Sequence, residues 1–393
     1  MSPMEPPEES LFSKIIVVGA LALLLAIICA CGYVIYGFIS APGDQDPAAV
    51  AATTTPSPMP TVAPTDILMP VQQATITPTP SPTPTPVYQD DVQITSGIKV
   101  DNPGIWGTFV VYDEVVGMNN YKVHLYNTVS RIDDVIATGN VRSNGCIGSG
   151  KVGLLYGDDN RIMLYDVESR KSTQATPDKN IPRMYPSIFE GKLIYTANDG
   201  AYNPTTGWLD IFSLYEYEIS VGFYNMWGNP ALEPHEPRGY GSYVVWWQIN
   251  GNGRDLILFR HDSLPCTSKV ISQPGTSSDH PRINGNTVVY HNTIGGTDHI
   301  YIYDIAGDFT KKVTNVGKQY YADVYGNRIV YDDDREYNWN IYIYDRSTEQ
   351  ERPITNEPHD QMMPQIYGSN VIFLDNRNYG PDNPGWDLYI MQI

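Results

Sequence analysis

Apolar and polar positions alternate with period two over most of this chain beyond residue 100, in short runs closed by glycine, asparagine and aspartate, the pattern of half-buried β-strands and tight turns. One phrase recurs seven times: a small or polar approach, a glycine, then an apolar run with an aromatic residue at or near its end. The copies centre on Gly107, Gly150, Gly191, Gly241, Gly285, Gly326 and Gly368, with 41 to 50 residues between successive glycines. The sixth copy shows the full unit. A first strand over 320–325 reaches the turn Gly326-Asn327, and a second strand follows over 328–332. After an acidic loop, Asn340-Ile-Tyr-Ile-Tyr-Asp345 is a third strand and Arg352-Pro-Ile-Thr355 a short fourth. A strand-rich period of about 40 to 45 residues marks a β-propeller with one four-stranded blade per repeat.

The seventh repeat ends at Ile393, directly after its third strand, while Val92-Gln-Ile-Thr95 precedes the first repeat and reads like the strand that is missing. An open ring would leave two unpaired sheet edges. The expected fold is therefore all-β, a seven-bladed propeller over 92–393 in which the N-terminal strand closes the last blade.

Three segments precede it. Residues 1–14 form a short tail. Residues 15–39 are 25 uncharged and mostly apolar positions, long enough to cross a hydrocarbon core of roughly 30 Å. That run exceeds the roughly 7–15 apolar residues of a cleaved signal peptide. Ile28-Cys-Ala-Cys31 loosely resembles a lipobox, but the chain stays apolar for eight residues beyond it. A single transmembrane helix is expected. Lys14 abuts its N-terminal end and no Lys or Arg follows until Lys99, which places the C-terminal part outside the cytoplasm, in the periplasm or at the cell surface. Residues 40–91 are rich in Pro, Thr, Ser and Ala, culminating in Ile-Thr-Pro-Thr-Pro-Ser-Pro-Thr-Pro-Thr-Pro, and read as an extended, disordered stalk.

The repeat signatures are Pro-x-Ile-x-Gly, Val-Tyr-x-Asp, Asp/Asn-Ile-Tyr-Ile-Tyr-Asp and Pro-Ile-Thr. They resemble TolB-like (WD40-related) propeller repeats over roughly residues 92–393, most closely at 280–314 and 320–355. The resemblance implies the fold and an envelope setting, periplasmic or on a cell surface. TolB itself has six blades, so the seven repeats here depart from it. Oligogalacturonate lyases are also seven-bladed and use a His-rich metal site with a Gln, but no motif here matches theirs residue by residue.

Charge and chemistry narrow the function. Lys and Arg total 25 against 44 Asp and Glu, a formal net charge of −19, so a nucleic acid partner is excluded. Gly145-Cys-Ile-Gly-Ser-Gly-Lys151 imitates a phosphate-binding loop, but Val152 stands where a Ser or Thr should bind Mg²⁺, and the loop leads into a strand instead of a helix. Cys146 and Cys266 fall in separate repeats, too far apart to pair.

Strand order places two sets of loops on one face. The loops between second and third strands carry Asp158-Asp159, Asn198-Asp199, Asp332-Asp333-Asp334 and Asp375-Asn376-Arg377, with Trp208, Trp339 and Trp386 just before third strands. The blade-linking loops carry Asp101, His235-Glu236, Asp279-His280 and Tyr320-Tyr321, with His359 just upstream in the last repeat. Aromatic plates beside carboxylates suit a sugar, and imidazoles converging with carboxylates at the channel mouth suit a divalent cation; no other cofactor is expected. Turn formation and the covering of blade edges explain the same residues without a ligand, and turn chemistry is needed in every blade. The leading expectation is a binding module for a protein or glycan of the cell envelope, without catalysis. A polysaccharide lyase or hydrolase with its site at the channel mouth is the alternative, and a scaffold subunit of an envelope complex is a third.

Overall fold

The computed structural model describes residues 91–393, apart from 158–159, 177–180, 199–211, 228–233, 252, 264, 314–315 and 381–383. The expected tail and transmembrane helix, and the stalk up to residue 90, lie outside the described residues, as does the Trp208 loop. Among the described residues no helix is long and apolar enough to cross a membrane.

The described strands form seven antiparallel four-stranded meanders. Blade one is Val100–Trp106, Phe109–Gly117, Asn120–Asn127 and Asp133–Gly139. In blade two the first strand is broken into Val141–Arg142 and Ile147–Gly148, both paired with Lys151–Tyr156. Blades three to six begin with Arg183–Phe189, His235–Tyr240, Ser277–Asn284 and Gln319–Tyr325. Blades four and five are joined by one parallel bridge, Arg254 to Ser277. Blade seven has Gln361–Tyr367, Asn370–Asp375 and Asp387–Gln392, and its fourth strand is Val92–Gln93, with Val92 opposite Ile390 and Gln93 opposite Tyr389. The segment ahead of the repeats therefore pairs where the sequence pattern places it.

The turns follow from glycine. All seven repeat glycines have positive φ, between 56° and 78°, and each sits in a two-residue hairpin between first and second strands. A left-handed residue there matches the twist of the strands it joins, and glycine adopts it without steric cost.

The ring is held between blades. Seven apolar clusters each span one blade-to-blade interface, as period two requires. Ile329 and Tyr331 pack toward blade five with Val289, Ile300 and Ile302. Val330, between them in sequence, packs toward blade seven with Val371, Phe373 and Tyr389. The seventh cluster joins Ile372, Leu388 and Ile390 of blade seven to Val100, Val110 and Tyr112 of blade one, closing the circle. Tyr112, Tyr290, Tyr331 and Phe373 are all but inaccessible at equivalent second-strand positions. Burying each stabilises by roughly 1.5–3 kcal/mol.

The Ile-Thr signature acts as a clasp. At the end of the fourth strand the hydroxyls of Thr176, Ser272 and Thr355 accept the amides of Ile162, Leu256 and Ile341 on their own third strands, at 2.8 to 3.1 Å. Thr95 does the same across the seam, accepting the Leu388 amide at 2.8 Å, while the Ile94 amide donates to the Leu388 carbonyl at 2.8 Å.

Candidate functional site

The first strands of successive blades contact one another around the ring and so line its channel. Every one of them is interrupted at the same place. The ladder shifts register between Asp101 and Gly104, Met184 and Ser187, His235 and Arg238, Asp279 and Arg282, Tyr320 and Asp323, and Met362 and Gln365, while blade two breaks outright. Inside each interruption one residue other than glycine is left-handed. These are Asn102, Asn144, Tyr185, Glu236, His280, Tyr321 and Met363, with φ from 42° to 55°. Proline follows in five of the seven, at 103, 186, 237, 281 and 364, which suits a bulge because no ladder donor is lost there. A non-glycine residue is strained in this region, and seven such residues at equivalent positions make a ring of side chains re-aimed by bulges.

In blades four to six that ring is a chain of contacts. Glu236 Oε1 lies 3.6 Å from His280 Nε2, and the His280 and Tyr321 rings meet edge-on with centroids 5.1 Å apart. His280 Nδ1 is 3.0 Å from Asp279 Oδ1, and His291 Nδ1 approaches the same oxygen at 2.5 Å. His291 Nε2 in turn lies 3.2 Å from Asp298 Oδ1, and the Tyr320 hydroxyl donates to Asp298 Oδ2. Arg254 donates to Asp279 Oδ2 and lies over the Trp247 ring, 4.6 Å from its centroid. Burial alone would raise the Asp279 carboxyl, but the hydrogen bonds and charge of His280 and His291 outweigh it and hold the group well below the usual carboxylate range. His235 stacks on Trp247 at 4.0 Å, and its burial favours the neutral imidazole.

Below the mouth, Arg238, Arg282 and Asp323 occupy the next inward positions of their strands. Burial, then Arg282, disfavours the charged form of Arg238, although a guanidinium stays protonated even so. Burial pushes the Asp323 carboxyl up while Arg282 opposes it. At the far end Tyr367 meets Tyr325 at 4.8 Å and Trp106 at 6.2 Å. The channel thus has an acidic, imidazole-rich mouth, a basic waist and an aromatic floor.

The mouth continues outward into blades six and seven. The Tyr320 ring is 4.6 Å from His291 and 5.5 Å from Trp339. Trp339 donates its amide to Asp360 Oδ1 at 3.0 Å, and its carbonyl accepts from the Gln361 amide at 2.8 Å. Beyond it lies a cleft of about 410 Å³ whose lining includes His359, Asp360, Asn376, Tyr379 and Trp386. A second cleft of about 460 Å³, lined by Val92, Thr108, Tyr126 and Ile390, sits beside a first hairpin turn at the other end of the sheets and is no part of this face.

The sequence-predicted residues therefore divide. Glu236, Asp279, His280 and Tyr321 converge, with His235 alongside. Trp339, His359 and Trp386 belong to the adjoining shelf and cleft, and His359 does not join the imidazoles of the mouth. Trp386 also packs against the interface of blades seven and one. Asp101 is exposed and accepts the amide of Asn102 at 2.9 Å, a turn role. Asp332 and Asp333, expected on the acidic surface, are wholly buried. The ladder runs one residue further than expected, through Asp333 opposite Gln319. Asp332 accepts the amides of Tyr320 at 3.1 Å and Met363 at 3.0 Å, pinning two bulges, and burial pushes its carboxyl up to about 7. Asp333 holds Arg335 at 2.7 Å. Asp113 caps the bulge of blade two in the same way, accepting the Ser143 amide at 2.8 Å.

Sequence reasoning misses His291, Asp298 and Arg254, because they lie within second and third strands. The signal that could have found them is a broken signature. Where blades one and six read Tyr-Asp, at Asp113 and Asp332, blade five reads Tyr290-His291.

No protein-family model matches this sequence, and no curated protein does. Solved structures match its fold. A Mycobacterium tuberculosis puromycin-hydrolyzing peptidase superposes with a TM-score of 0.59 at 12% identity, over 75% of this chain and 52% of that one. An oligogalacturonate lyase from Vibrio parahaemolyticus gives 0.59 at 13% identity, over 78% and 94%. The β-propeller domain of the Trilobed protease from Pyrococcus furiosus, which has an open velcro topology, gives 0.56 at 14% identity, over 75% and 92%. This chain spans about half the length of the peptidases it resembles.

Proposed function

We propose that this chain is a membrane-tethered, extracytoplasmic propeller, seven-bladed and closed by its N-terminal strand, that binds an envelope glycan on its channel-mouth face without turning it over. One observation carries the reading: the face is continuous. It runs from Glu236, His280 and Tyr321 through Tyr320 and Trp339 to the cleft holding His359, Asp360, Asn376, Tyr379 and Trp386. A sugar ring offers an apolar face and a rim of hydroxyls, which suits aromatic plates set beside carboxylates and amides. The uncharged run over 15–39, the Pro/Thr-rich stalk and the resemblance of the repeats to TolB-like proteins support the tether and the envelope setting. Binding is favoured over hydrolysis because Asp279, the central carboxylate of the mouth, is engaged by two imidazoles and a guanidinium, where a glycosidase sets two carboxyl groups facing across the scissile bond.

The test uses the full chain in detergent with isolated envelope polysaccharide. Saturable binding with unchanged polymer length is expected. New chain ends, reducing or unsaturated, would establish the lyase or hydrolase reading. Capture of an envelope protein with no affinity for glycan would establish the scaffold reading.

A further inference from the structure

Four imidazole nitrogens in the mouth each face a carboxylate. His280 has Asp279 Oδ1 at 3.0 Å from Nδ1 and Glu236 Oε1 at 3.6 Å from Nε2. His291 has the same Asp279 oxygen at 2.5 Å from Nδ1 and Asp298 Oδ1 at 3.2 Å from Nε2. A neutral imidazole carries one N–H, so two neutral rings leave two lone pairs directed at carboxylates. His291 is buried, with 7% of its side chain exposed, and its Nε2 makes no aligned hydrogen bond. One Oε of Glu236 is buried without a partner. The charge is unbalanced in the same sense, since Asp279, Glu236 and Asp298 are met by two guanidinium groups, Arg254 paired with Asp279 and Arg238 acting on Glu236 from below.

We infer that Asp279 Oδ1, His280 Nδ1 and His291 Nδ1 form an open site for a first-row divalent cation of the zinc type. One ligand atom from each residue lies within 4.8 Å of the others, and binding one ion at about 2.0–2.2 Å requires Asp279 Oδ1 and His291 Nδ1 to part from 2.5 Å to about 3.3 Å while the half-exposed His280 ring turns toward them. Both Nδ1 lone pairs then bind metal, and both Nε2–H groups point at Glu236 and Asp298, the carboxylate–histidine–metal arrangement that fixes ring orientation. A charge of +2 also offsets the excess of carboxylate over guanidinium at the mouth. Two imidazoles and a carboxylate without thiolate select zinc over calcium or magnesium, which require mostly oxygen ligands. With three protein ligands, the ion keeps positions open to a ligand oxygen entering past His280. This inference goes beyond glycan binding and does not depend on it.

The test is metal content and affinity in the full chain, purified in detergent without a histidine tag. Elemental analysis should find about one zinc per chain. After chelator treatment, calorimetric titration with ZnCl₂ should recover one site, and Co²⁺ should give ligand-field bands. His280→Gln should weaken zinc binding by about 100-fold, and Glu236→Gln and Asp298→Asn by about 10- to 100-fold. Calcium should not compete, and His359→Gln, in the separate cleft, should bind as wild type. His291 is buried, so its replacement puts folding itself at risk. The half-exposed His280 is therefore the deciding position, with near-UV circular dichroism confirming that His280→Gln is folded. Absence of a stoichiometric site, or affinity unchanged in His280→Gln, overturns the inference. So does a metal-free cluster whose melting temperature instead rises on acidification in a His280-dependent way, because protons would then fill the role assigned to the ion. Stripped protein that still binds glycan would remove the metal from glycan recognition and leave the binding reading intact.

Discussion

Thr95→Val tests whether the ring is closed by a strand from the other end of the chain. Valine keeps the shape of threonine and removes only the hydroxyl. That hydroxyl accepts the Leu388 amide at 2.8 Å and donates to Asp387 Oδ1 at 3.2 Å. Leu388 and Asp387 are fully buried and Thr95 is 4% exposed, so no water replaces the lost acceptor. An unsatisfied buried amide costs about 1–3 kcal/mol. Asp387 keeps Gln93 at 3.1 Å and Asn378 at 2.8 Å, so the amide accounts for most of the loss. At about 2.1 cal/mol/K of unfolding entropy per residue, a propeller of about 300 residues shifts by about 1.6 °C per kcal/mol, so about 2 kcal/mol lowers the melting temperature by about 3 °C. The assay is thermal unfolding of the full chain followed by near-UV circular dichroism, with Thr355→Val as reference. Thr355 makes the same clasp to Ile341 at 2.8 Å within one continuous blade. The two variants should lose similar stability, and Thr95→Val alone should expose the last blade to protease. A Thr95→Val protein within about 0.5 kcal/mol of wild type, beside a destabilised Thr355→Val, would falsify seam closure by this strand.

Three further outcomes are expected. Asp332 is held up to about 7 by burial, above the usual carboxylate range near 4, so the folded chain keeps a proton that the unfolded chain releases. Its contribution to stability therefore falls as pH rises from about 4 to 7 and is level above that, a change of roughly 4 kcal/mol, and Asp332→Asn should flatten this part of the pH–stability curve measured by urea unfolding. Gly104→Ala should destabilise by about 1–3 kcal/mol or prevent folding, because its Cβ would lie 2.1 Å from the Gly145 carbonyl oxygen, a backbone atom in the break of blade two's first strand; Gly97→Ala, with open space around it but a left-handed φ of 71°, should cost only about 1 kcal/mol in the same melt. Protease added outside intact cells should cut the Pro/Thr-rich stalk and release the propeller; a head protected until the cells are lysed reverses the assigned orientation.

Much of the fold is legible in the sequence because closure of each blade repeats local chemistry. The hairpin glycines, the Asn-Ile-Tyr-Ile-Tyr-Asp strands and the Ile-Thr clasps each recur, and the missing fourth strand is visible as Val92-Gln-Ile-Thr95. The site is less legible because it is made by departures from the repeat. The left-handed ring depends on strand register, which no single repeat displays, although proline after Asn102, Tyr185, Glu236, His280 and Met363 marks most of it. Asp332 and Asp333 look like loop acids because acidic residues follow them, yet the ladder takes both inside. His291 and Asp298 look like ordinary strand positions until pairing sets Asp279 opposite His291.

Equilibrium binding of envelope polysaccharide to the full chain and to Tyr321→Ala, Trp339→Ala and Trp386→Ala decides whether the channel-mouth face is the binding surface. Trp386 also supports the interface of blades seven and one, so affinity is taken per folded molecule after each melt is recorded. If these rings anchor the ligand, each truncation weakens binding by about 1–3 kcal/mol, roughly 5- to 150-fold, with Tyr321→Ala folded as wild type. Affinity unchanged in all three, at equal folded fraction, places the ligand elsewhere on the protein.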